Sequence, residues 1–153
     1  MQETKVTLIY FGLSLFVLLA LIPWVVDLNL GDQSIQILAI YGGIIVAFLG
    51  GMIWGWDEAN TSSKNLWIAI GFSILGLIIS LTSLINLTIS LILLIISLQA
   101  FLSFEKKYNP FFKENTKYAA ARGLITNLVT ICCITSLASV SYTHLTLPTI
   151  LLV

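Results

Sequence analysis

The sequence predicts an all-α membrane protein: a five-helix transmembrane bundle with a cytoplasmic N-terminus. Three observations lead there. Of 153 residues, 58% are hydrophobic and only 9% are charged, where an ordinary soluble domain carries roughly 25% charged residues. The apolar residues fall into five runs, each long enough to cross ~30 Å of hydrocarbon. Lysine and arginine collect on one side of those runs.

The first run, residues 6–26, follows a single lysine, Lys5. It is longer than the apolar region of a signal peptide, and it closes on Pro23, Trp24 and Asp27 instead of a small-residue cleavage pattern. It is therefore read as a retained span. The second run, residues 35–54, overlaps the stretch IYGGIIVAFLGGMIWGW at residues 40–56, which holds five of the ten glycines without a charge or a proline. Glycine costs about 1 kcal/mol relative to alanine in an exposed helix. In a bilayer that cost is offset, because small side chains let helix backbones approach closely. Gly43, Ala47, Gly51 and Gly55 recur every four residues and form one seam, the expected packing centre of the bundle.

Residues 66–104 contain no charged side chain. As one helix they would be ~58 Å long, about twice the hydrocarbon thickness. The chain must double back, and Ile85-Asn86-Leu87 is the only turn-like point, giving spans 66–85 and 87–104. The loop EKKYNPFFKENTKY, residues 105–118, is the only sizeable polar segment. Asn109-Pro110 breaks any helix there. Its aromatics, Tyr108, Phe111, Phe112 and Tyr118, alternate with lysines, as in a loop lying at the headgroups of anionic lipid. The fifth span is residues 119–137.

With five spans, Lys5, Lys64, Lys106, Lys107, Lys113, Lys117 and Arg122 share one side and the other side has no basic residue. That asymmetry predicts a cytoplasmic N-terminus. The tryptophans fit as interface anchors, Trp24 at the outer end of the first span, Trp54, Trp56 and Trp67 at inner ends.

Residues 140–149, VSYTHLTLPT, can be written codon by codon as the reverse complement of a transposase adapter used in sequencing libraries. The expectation is one transmembrane domain over residues 1–138, with residues 139–153 a translated adapter. His144, the single histidine, lies in that tail, so the remainder offers no imidazole for acid–base work or metal ligation. Cys132 and Cys133 are adjacent and match no metal or redox spacing. No nucleophile–base pair, HExxH or phosphate-binding loop is present. Zero net charge argues against nucleic acid. No catalytic, cofactor-binding or metal-binding residue is predicted.

Arg122 is the most informative polar residue near hydrocarbon. It either snorkels to the headgroups or pairs with Asp57 or Glu58, which the topology puts on the same side. Gln36, Asn86, Gln99 and Asn127 are each expected to make an interhelical or helix-end hydrogen bond worth about 0.6 kcal/mol.

The segment AIYGGIIVAFLGGMIWG, residues 39–55, resembles the signature of the small membrane proteins classed as domain of unknown function 3429, a group related to transmembrane protein 69. Ala39, Tyr41, Gly42, Phe48, Leu49, Gly50, Gly51, Trp54 and Gly55 fit its A-Y-G-A-x-x-x-S-F-L-G-G-x-x-W-G pattern, with a one-residue shift before the tyrosine. Ala47 stands where serine is usual and Ile53 where histidine or arginine is common. Gly12 to Phe16 (GLSLF) is similar to the family's G-L-I-P-F, and Arg122 and Thr126 to its R-x-x-L-T element. The resemblance implies a multi-pass bacterial inner-membrane protein and supplies no activity.

The leading functional expectation is a non-enzymatic membrane protein that packs or partners with a second copy or another membrane protein, its other partner being the bilayer. The alternative is a small transporter or channel component, its pore lined by Ser73, Ser80, Thr82, Ser90 and Ser97. A third reading is a membrane enzyme acting on lipid or quinone through Asp57, Glu58 and Arg122.

Overall fold

The computed structural model describes residues 2–26, 28–56 and 63–150, and among them every regular element is helical. The helices are α1 (Gln2–Leu21), α2 (Leu28–Met52), α3 (Ser63–Thr82), α4 (Leu87–Tyr108), α5 (Pro110–Glu114) and α6 (Thr116–Ile150). Short 3-10 turns, Ile22–Trp24 and Ile53–Gly55, follow α1 and α2. Four stretches among the described residues are long and apolar enough to cross a membrane: Leu30–Gly55, Ser63–Thr82, Leu87–Tyr108 and Thr116–Ser141. The described apolar stretch at α1, Tyr10–Trp24, is shorter.

The turns sit where their chemistry demands. α3 stops at Thr82, and Asn86, in an extended conformation, caps α4 by accepting the Ile89 N–H at 3.1 Å. At the other end of α4, extended Asn109 accepts the Phe111 N–H at 3.0 Å, and Pro110, which has no N–H to lose, occupies the first position of α5. Asn115 repeats the device for α6, accepting from Tyr118 N at 3.0 Å. The polar loop is thus a short helix between two asparagine caps. α6 continues past residue 138 to Ile150.

The bundle buries polar side chains among its apolar core and is apolar outside. Ser83, Ser90, Ser97, Glu105, Arg122 and Ser136 are buried, whereas Ile44, Phe48, Ile74, Leu77, Ile96 and Ile131 point outward. That arrangement suits a solvent of lipid tails, where the favourable contacts left to make inside are close packing and hydrogen bonds. α2 is central, packed most extensively on α3 and also on α4 and α1. α6 packs on α1 and α4 but scarcely meets α2.

The α2–α3 contact shows which part of the predicted seam closes. A Cβ added at Gly76 would collide with the Gly43 carbonyl and lie 2.8 Å from the Ala47 nitrogen. One added at Gly43 would collide with Ser80 Oγ. Gly43 and Ala47 therefore face α3. The lower half of the seam does not. Gly50 takes the contact, since a Cβ added there would lie 2.7 Å from the Ala69 carbonyl, while added Cβ atoms at Gly51 and Gly55 would meet nothing within 4 Å. A straight helix turns 100° per residue, so a strict four-residue repeat drifts off the contact line and the preceding residue replaces it.

Candidate functional site

α4 buries Leu91, Leu94, Leu98 and Phe101 along one face, and the same face arrives at Glu105 one turn later. Glu105 is completely buried. α6 presents Tyr118 and Arg122, one turn apart on its inward face, both buried. The three meet: Arg122 Nε donates to Glu105 Oε2 at 3.0 Å, and Tyr118 Oη donates to Glu105 Oε1 at 2.8 Å. Asn109 Nδ2 adds a third donor to Oε1 at 3.2 Å. Below them the Arg122 guanidinium lies 5.8 Å from the Phe101 ring centroid, within cation–π range.

A buried ion pair is tolerable only when its remaining lone pairs are satisfied. Here three donors, two from α6 and one from the residue capping α5, converge on one carboxylate of α4, and Arg122 supplies the charge that balances it. Sequence reading treated Glu105 as the first loop residue and so missed it. The signal was available, since the stripe 91, 94, 98, 101 extends to 105 at heptad spacing. Asp57 and Glu58, the partners expected for Arg122, lie outside the described residues.

Beside this cluster is a cavity of about 790 Å³, in the space that α6 leaves by not meeting α2. Leu13 and Phe16 of α1, Ile45 and Leu49 of α2 and Val129 of α6 make an apolar wall; Trp56, Phe111, Tyr118 and Arg122 also line it. Gly51 and Gly55 line it too, which accounts for the open space beside them.

The remaining sequence-picked residues separate by environment. Trp24, Trp54 and Trp67 are exposed, as interface anchors require. Trp56 is instead half-buried, stacked on Phe104 with ring centroids 5.8 Å apart, and lines the cavity. Gln36 donates to the Ser83 carbonyl at 3.2 Å, and Gln99 to Asn127 Oδ1 at 3.4 Å and Thr130 Oγ1 at 3.0 Å. These are the expected interhelical bonds. The serines assigned to a pore are committed to backbone: Ser73 to Ala69 and Ala47, Ser80 to Gly76 and Ile40, Ser90 to Ile79, Ser97 to Leu93.

The glycine-rich second helix, the buried Arg122 and the apolar bundle around them coincide with a family match that covers residues 1–138, to the family described as protein of unknown function, DUF3429. The chain belongs to the DUF3429 family. No curated protein and no solved structure matches it. Within this DUF3429 chain the motif residues divide into two groups. Gly42, Gly43 and Gly50 serve helix contacts, with Gly42 against the Leu94 side chain. Gly51 and Gly55 shape the cavity. Among the described residues no cluster of three or more histidine, cysteine or acidic side chains is placed to hold a metal.

Proposed function

We propose that this DUF3429 chain is a multi-pass protein of a bacterial cytoplasmic membrane, with α1 as a fifth span and the N-terminus cytoplasmic, and that it works by partnering and not by catalysis. The one-sided distribution of Lys5, Lys64, Lys106, Lys107, Lys113, Lys117 and Arg122 supports the orientation. The 20 residues of α1 give a helix ~30 Å long, the thickness of the hydrocarbon.

The observation that carries the partnering role is the way Glu105 is held. Three side chains fix it, so the ends of α4 and α6 and the short helix between them form one rigid face. That face exposes Lys106, Lys107, Lys113 and Lys117. A rigid basic surface next to a membrane suits an acidic protein partner or a second copy more than it suits chemistry, and the one buried carboxylate among the described residues already accepts from three donors.

The test is recovery of the full chain from membranes in mild detergent, with Lys106, Lys107, Lys113 and Lys117 intact or all changed to glutamine. A stoichiometric protein partner, or a second copy, is expected with the parent chain. It should be lost from the variant while thermal stability is kept. A parent chain that purifies as a monomer without any partner overturns the reading.

A further inference from the structure

We infer that the cavity between α1, α2 and α6 binds an uncharged membrane amphiphile whose head is a planar ring carrying carbonyl oxygens and whose tail is apolar, the chemistry of a quinone. The inference rests on the cavity and on Arg122, independently of the basic face. At about 790 Å³ the space lies in the ~300–1,000 Å³ range of small-molecule sites. One part of its lining is purely apolar: Leu13, Phe16, Ile45, Leu49 and Val129. The other gathers Trp56, Phe111, Tyr118 and Arg122, so it is built for a molecule with two unlike ends.

Arg122 defines the head end. The residue is 7% exposed, and its bond to Glu105 uses Nε alone. Among the described residues its Nη nitrogens carry no hydrogen bond, and the side chain lines the cavity. No buried side-chain nitrogen among the described residues lacks a partner, so these Nη nitrogens open onto the cavity, where they can donate to acceptor oxygens on whatever fills it.

Charge decides what kind of acceptor. Glu105 already cancels Arg122, and the second charged residue on the lining is Glu114. A phosphate or carboxylate head would bring an uncompensated negative charge next to a neutral ion pair and a further carboxylate. A carbonyl oxygen takes the same Nη hydrogen bonds without that cost. Trp56, Phe111 and Tyr118 all line this end, and three aromatic rings favour a planar head over a branched one, since offset and edge-on ring contacts add to area burial. Access is sideways: Phe48, Gly51 and Gly55 line the cavity and are also exposed, so it opens along α2 at the level where a membrane-soluble guest diffuses.

The experiment uses the full chain in mild detergent and a short-tailed benzoquinone as probe, read by quenching of tryptophan fluorescence and by thermal stability. Saturable quenching is expected, and it should vanish in Trp56→Phe while quenching of the exposed tryptophans stays unsaturable. Gly51→Leu fills the cavity from a position where a Cβ meets no neighbour within 4 Å; it should leave the melting temperature unchanged and weaken the probe's binding about tenfold or more. Gly71→Leu, equally free of neighbours but outside the cavity lining, should leave binding unchanged. Unchanged binding in Gly51→Leu, or equal loss in Gly71→Leu, overturns the inference. So does competition by phosphatidylglycerol or by a diacylglycerol as effective as that by the quinone.

Discussion

Arg122 donates its Nε–H to Glu105 Oε2 at 3.0 Å, joining α6 to α4 across 17 residues of sequence with both side chains almost wholly buried. Removing either partner leaves an uncompensated charge in a medium that cannot solvate it, at a cost of roughly 3–5 kcal/mol. Glu105→Ala and Arg122→Ala are each expected to lower the melting temperature sharply in detergent. The exchange of the two, Glu105→Arg with Arg122→Glu, should recover part of the loss. An Asp57→Asn background should leave the cost of Arg122→Ala unchanged, since Arg122 is already paired; strong coupling between the two would transfer the partnership to Asp57.

Tyr118 and Asn109 share one oxygen of that carboxylate. Tyr118→Phe deletes a hydrogen bond to a charged group without changing shape, and is expected to cost about 1.5–3 kcal/mol. Asn109→Ala should cost more than its single bond to Glu105 suggests, because the same residue caps α5, a role worth about 1 kcal/mol. Thermal unfolding of the two variants beside the parent measures both.

Gly76 and Gly51 are both glycines of an apolar helix, yet their replacements should behave oppositely. Leucine at Gly76 must push α2 away from α3, because the first atom added meets the Gly43 carbonyl and the Ala47 nitrogen; overpacking of this kind costs roughly 1–3 kcal/mol, and more where backbone must move. Leucine at Gly51 meets open space and should change stability by less than about 0.5 kcal/mol. Equal melting of the two variants would refute the assignment of the contact.

Asn86 is the N-cap of α4 at the α3–α4 turn. Asn86→Ala should destabilise by about 1 kcal/mol, with Asn86→Asp nearly neutral because aspartate accepts the same N–H. A thermal comparison of the three chains checks this.

Much of the architecture was legible in the sequence because it depends on local chemistry. The need for a turn between residues 66 and 104 follows from length and its place from Asn86, and the break at Asn109-Pro110 follows from proline's missing N–H. The interhelical roles of Gln36 and Gln99 followed from the cost of leaving amides unbonded in hydrocarbon. What was not legible depends on rotation of a helix about its axis. A four-residue repeat cannot distinguish Gly50 from Gly51 as the contact, because one residue's turn of 100° moves a side chain from α3 to the cavity. Glu105 was hidden for a related reason: a charge next to Lys106 and Lys107 reads as loop, although the apolar stripe before it runs straight through its position. The cavity has no sequence signature at all, arising from two helices, α2 and α6, that scarcely touch.

The hydroxyls of Ser73 and Ser80 are each divided between a carbonyl of their own helix and one of α2, at 3.2 and 3.4 Å for Ser73 and 3.0 and 3.4 Å for Ser80. Together with the close approach of Gly43 to Gly76, these two staples tie α2 and α3 more closely than any other helix pair of the bundle. Loosening of the bundle is therefore expected to begin at α1 and α6, which share fewer such ties.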